Sequence, residues 1–60
     1  IKLEYFYTCP YCWQEVSVIL DLSVQQQTLV EDCEVCCNPI EFRYEVTEGE
    51  ITYFEAIKIQ

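Results

Sequence analysis

Five cysteines, Cys9, Cys12, Cys33, Cys36 and Cys37, stand in a 60-residue chain that contains no histidine. Thiolates are both nucleophiles and metal ligands, so spacing has to distinguish the two roles. Four of the cysteines form two C-x-x-C pairs, Cys9-Pro10-Tyr11-Cys12 and Cys33-Glu34-Val35-Cys36. A tight turn across such a pair places both sulfurs on one side while backbone N–H groups point at them and stabilise thiolate charge. Two turns complete a tetrahedron of sulfurs about 2.3 Å from a zinc ion. Twenty residues lie between Cys12 and Cys33, at the upper end of the spacing of a four-cysteine zinc site. A two-strand hairpin fills that interval and returns the second turn beside the first, the arrangement of a zinc ribbon. The expected metal ligands are therefore Cys9, Cys12, Cys33 and Cys36. Zinc is the expected ion, with iron the alternative, because four thiolates hold either.

Other uses of the cysteines fit less well. Two disulfides would leave a fifth thiol over, and a redox C-x-x-C normally opens a helix, whereas no helical pattern follows Cys12. Cys37 adjoins Cys36, but the two-residue spacer selects Cys36 as the ligand. Cys37 and Trp13 then occupy equivalent places after the two turns, where φ becomes positive and glycine is favoured; each substitution costs of order 1 kcal/mol if that conformation is kept. Cys37 reads as a small, partly buried side chain and Trp13 as a ring packed near the metal turn. Glu31, Asp32 and Glu34 form an acidic rim around the second turn.

The elements that must hold these turns read as strands. Ile1 to Thr8 alternates, with Ile1, Leu3, Tyr5 and Tyr7 on one face, and Glu15 to Leu22 does the same with Val16, Val18, Leu20 and Leu22. Gln27 to Asp32 is shorter, polar and suited to an edge. Ile40 to Val46 alternates strictly, setting Ile40, Phe42, Tyr44 and Val46 against Glu41, Arg43 and Glu45. Gly49, the only glycine, can supply positive φ in a hairpin loop leading to Ile51 to Ile59, whose Ile51, Tyr53, Ile57 and Ile59 are expected to share a face. No linker or sequence repeat is legible. The expectation is one all-β domain, residues 1–60: a small zinc ribbon of four to five short strands, with the two C-x-x-C turns joining antiparallel hairpins.

Size and charge narrow the function. Ordering 60 residues costs roughly 90 kcal/mol, which so small a core does little more than cancel, so a metal staple is expected. The net charge is −8, from eleven acidic and three basic residues. Nucleic acid is thus an unfavourable partner, since Lys2, Arg43 and Lys58 are too few and scattered to neutralise phosphates. A basic protein surface is the better electrostatic match. No apolar run approaches the ~20 residues of a membrane span and no secretory signal is legible, so no membrane association and a cytoplasmic location are expected. Because the chain starts at Ile1 without a methionine, a preceding segment is also expected.

Cys9-Pro10-Tyr11-Cys12, the stretch from Val30 to Ile40 and the alternation of Ile40 to Val46 together resemble the CPXCG-motif cysteine-rich family, small bacterial proteins with a zinc-ribbon-like pattern. The resemblance spans most of the chain. Trp13 stands where the family's name motif has glycine. The resemblance implies no established activity. With a closed ligand set, no histidine and no phosphate-binding loop, the chain is expected to be a non-catalytic zinc domain that binds a protein. A rubredoxin-like iron electron-transfer protein is the alternative. Apolar side chains on both faces of the last strand further predict self-association, or a partner, at that strand's edge.

Overall fold

A computed structural model describes residues 1–60. Five strands follow one another: β1 (Lys2–Thr8), β2 (Glu15–Asp21), β3 (Gln26–Asp32), β4 (Pro39–Thr47) and β5 (Glu50–Lys58). No helix long and apolar enough to cross a membrane is present. β1 and β2 form an antiparallel pair, while β3, β4 and β5 form an antiparallel sheet in that order. The all-β ribbon expected from alternation is the observed fold, but the hairpin expected between Cys12 and Cys33 is not observed. β2 and β3 lie in different sheets, and each C-x-x-C turn instead closes a hairpin of its own, β1–β2 and β3–β4, because their inward apolar faces pack against each other rather than pairing edge to edge.

The alternation of β2 and β4 drives the two sheets together. Val16, Val18 and Leu20 of β2 face Ile40, Phe42, Tyr44 and Val46 of β4, and with Cys9 and Cys33 they make up the buried core. Each large apolar side chain buried here contributes roughly 1.5–3 kcal/mol. The phenol of buried Tyr44 also needs partners. It accepts from the Asp21 N–H at 3.1 Å and has the Asp21 carbonyl at 3.0 Å and Gln27 Oε1 at 2.8 Å as acceptors for its single proton. That contact places the end of β2 over β4. β1 lies over β5, because the Tyr5 and Phe54 rings lie 4.4 Å apart and the Tyr7 and Phe54 rings 5.9 Å apart, and Tyr7 also meets Phe42 of β4 edge-on at 5.0 Å.

β5 departs from the expected face assignment. Val46 pairs with Ile51 and Glu45 with Tyr53, so Thr52 is an extra residue, a β-bulge that reverses the side-chain parity. Beyond it Phe54 and Ala56 oppose Tyr44 and Phe42 on the core side, whereas Tyr53 and Ile57 oppose Glu45 and Glu41 on the outer side. Ile51 therefore does not share a face with Tyr53 and Ile57. The hydroxyl of Thr52 donates to the Glu45 carbonyl at 3.4 Å and holds the bulge. The apolar excess of β5 is in part covered within the chain, by Tyr5 and Tyr7 on Phe54. The turn before it is Glu48-Gly49, with φ of 53° and 78°, the two positive values of a type I′ hairpin.

Candidate metal centre

Each C-x-x-C pair caps a hairpin, and the two caps have the same backbone. In the first, the Cys9 N–H donates to the Gln14 carbonyl at 2.9 Å and the Trp13 N–H to the Cys9 carbonyl at 2.9 Å. In the second, Cys33 donates to Asn38 at 3.0 Å and Cys37 to Cys33 at 2.8 Å. The N–H of Tyr11 points at Cys9 Sγ and that of Val35 at Cys33 Sγ, both at 3.4 Å. Trp13 and Cys37 both adopt positive φ, 62° and 61°, at the places where the turn geometry favours glycine. The structural repeat is 24 positions long, from Cys9 to Cys33, though beyond the cysteines almost no residue identity marks it.

The four thiols meet between the caps. Cys9 and Cys36 Sγ lie 3.7 Å apart, Cys12 and Cys33 Sγ 3.9 Å apart, and all four sulfurs fall within 4.8 Å of one another. A regular tetrahedron with 2.3 Å metal–sulfur bonds has edges of about 3.8 Å. The donor set therefore fits a four-coordinate thiophilic ion with little movement. Cys9 and Cys33 are buried, Cys12 and Cys36 partly so, and no pair is bridged. Cys37 is exposed and outside the cluster. The structure thus brings together the four cysteines singled out by spacing and leaves Cys37 aside. Trp13 is 73% exposed rather than packed over the turn.

Electrostatics within the cluster pull Cys9 and Cys12 in opposite directions. Burial opposes ionisation of Cys9, but backbone donors at Cys12 and Tyr11 and the Cys33 and Cys12 thiols outweigh it and lower its pKa to about 6. At Cys12 the Gln14 N–H favours the thiolate, yet burial and the neighbouring Cys9, Cys36 and Cys33 sulfurs prevail and push it up to about 12. Negative charge at Cys12 is resisted, and a divalent ion held by the four sulfurs would remove that resistance. Tyr7, beside the cluster, is raised to about 12 by burial and then by the charges of Cys33, Cys9, Glu34 and Cys12.

Sequence reading missed Tyr11 as more than a spacer. Its hydroxyl donates to the Pro39 carbonyl at 2.7 Å and accepts from the N–H groups of Ile59 and Gln60 at 3.1 and 3.2 Å. The Lys58 ammonium sits 5.8 Å from its ring centroid. One side chain therefore ties the first cap to the start of β4 and to the C-terminal residues. No local signal marks this, because its partners lie 28 to 49 positions away.

Two antiparallel hairpins with four gathered thiols define a metal-binding ribbon. The family model for the bacterial zinc ribbon domain matches residues 7–54, most of the chain, and the chain belongs to that family. No curated protein and no solved structure matches it.

Proposed function

We propose that this chain is a non-catalytic zinc domain of the CPXCG-motif type, acting as a protein-binding adaptor in the reducing cytoplasm. The observation that carries the reading is the closed cage of Cys9, Cys12, Cys33 and Cys36 Sγ. Four thiolates saturate a tetrahedral zinc and leave no position for water or substrate, so the ion would serve to hold the two hairpins together. The chain's own residues supply the rest: Tyr11 and Val35 N–H groups offset thiolate charge, and the acidic surface selects a basic partner.

Metal content and partner binding test it together. Protein isolated from its native cells should be colourless, carry one zinc per chain and bind a purified basic partner saturably only when loaded. An iron–thiolate absorption band with reversible one-electron reduction would replace this reading by electron transfer. Turnover of a substrate by the zinc-loaded chain would overturn the non-catalytic assignment.

A further inference from the structure

The two cysteine hairpins repeat each other, but only one of them has a third strand. β5 pairs with the outer edge of β4 and lays Phe54 over β1. The equivalent edge of the first hairpin belongs to β2, which pairs on one side only. Its open groups follow from the ladder. Cys9 bonds Gln14 and Leu22 bonds Ile1, and because antiparallel pairs alternate, Val16, Val18 and Leu20 exchange hydrogen bonds with β1. Ser17, Ile19 and Asp21 direct theirs the other way. At Asp21 they meet the Tyr44 hydroxyl; at Ser17 and Ile19 no hydrogen bond of the chain reaches them.

Ser17 and Ile19 border a cleft of about 340 Å³ that Glu31, Asp32 and Glu34 also line. Glu31 pairs with Ile40 and Leu29 with Phe42, so both lie on the inner face of β3. None of the three acids has a basic partner, since the one salt bridge joins Arg43 to Glu41. Strand edges are normally blunted by lysine, proline, a bulge or an inward charge. β5 has its bulge and Lys58, β1 has Lys2 and β3 has inward Glu31. β2 has no lysine, proline or bulge.

We propose that the open edge of β2 takes up an extended, basic segment of a partner protein as a third strand of the first sheet. This deepens the adaptor reading and rests on it. β5 supplies the pattern, because its core-side Phe54, Ala56 and Lys58 oppose Tyr44, Phe42 and Ile40. In the first hairpin the equivalent positions are Leu20, Val18 and Val16. The guest strand therefore presents an apolar side chain opposite Leu20, where it covers Leu29, and a small one opposite Val18. A lysine or arginine follows opposite Val16, beside Glu31, Asp32 and Glu34. Backbone bonds to Ser17 and Ile19 hold the strand. A net charge of −8 favours such a partner over a second copy of the chain.

The test titrates the zinc-loaded chain with a blocked ten-residue peptide bearing phenylalanine, alanine and lysine at alternate positions and threonine between, read by amide exchange. Exchange at Ser17 and Ile19 should slow, and Glu31→Lys with Glu34→Lys should weaken binding about tenfold or more. Ser17→Pro removes an outward N–H without touching the β1 ladder and should abolish binding. Should that variant not fold, a peptide N-methylated where it faces Ser17 and Ile19 makes the same test, and unchanged binding overturns the proposal. Absence of peptide binding at low salt overturns it too. Binding that protects β1 or β5 amides overturns the β2 edge but leaves the adaptor reading standing. Protection of Ser17 and Ile19 that grows with protein concentration alone assigns the edge to a second copy and overturns the partner.

Discussion

The first and second cysteine caps have one backbone and two different surroundings. Both place an N–H at 3.4 Å from the leading sulfur and both pass through φ near 61° after the last cysteine. The first is fastened to the far end of the chain through Tyr11. The second carries Val35 at the equivalent place, 57% exposed, with no polar group to fasten anything. Repetition of backbone thus comes from the demands of the metal site, and divergence of side chains from what each hairpin must meet. The first cap meets β4 and the C-terminus; the second stands at the acidic, open flank.

The largest effect should come from removing what the caps share. Structural zinc contributes roughly 10–16 kcal/mol of apparent binding energy that is also folding energy. Chelation under reducing conditions is therefore expected to abolish β-sheet circular dichroism and the cooperative thermal transition. Cys36→Ser should eliminate stoichiometric high-affinity zinc binding, while Cys37→Ser should retain one zinc per chain. The opposite ranking in metal stoichiometry would transfer the fourth ligand to Cys37.

What the caps do not share gives the next effect. Tyr11→Phe leaves the part-buried Pro39 carbonyl without its donor and returns the exposed Ile59 and Gln60 N–H groups to water, a loss of about 0.5–1.5 kcal/mol. Val35→Ala should change stability by about 0.5 kcal/mol or less, as exposed substitutions do. Denaturation midpoints of the two variants measure the asymmetry directly, and equal losses would contradict it.

Backbone equivalence makes a finer claim. Trp13→Gly and Cys37→Gly each relieve a left-handed conformation that costs a non-glycine residue roughly 1 kcal/mol, partly offset by the entropy of glycine. Both should stabilise the loaded protein by similar, sub-kcal amounts in thermal unfolding. Destabilisation at one site alone would mean that its side chain does more than occupy the turn.

The smallest effect lies in the β2–β3 turn, remote from both caps. Asp21 accepts from the Ser23 hydroxyl at 2.6 Å and the Ser23 N–H at 2.9 Å, which lowers its pKa below 3.8. A carboxylate with a lowered folded pKa contributes stability above its unfolded value and loses it as pH falls through the folded one. Ser23→Ala should therefore lower the thermal stability of the zinc-loaded protein slightly at pH 7, and the difference from the parent should shrink as pH falls toward the carboxylate range.

Strand positions and the cysteine grouping were legible because they rest on local regularities. Alternation in Glu15 to Asp21 and Ile40 to Val46 is imposed by one buried face, and the two-residue spacer by the turn. Positive φ at Trp13 and Cys37 followed from that same turn. The face of β5 was not legible, since Thr52 interrupts the pairing without interrupting the run of strand-forming residues. Nor was the repeat of the two hairpins, which lives in hydrogen bonds rather than residue identity.

The amino-acid order by itself determined five strands, their two turns of cysteine and a charge of −8, because each depends on neighbours only a few positions apart. Tertiary structure alone decided that β1 lies over β5, that Tyr11 fastens the C-terminal residues and that Ser17 and Ile19 keep an open edge. Those outcomes turn on a one-residue bulge and on contacts spanning up to 49 positions, which packing of the two sheets selects and no local pattern encodes.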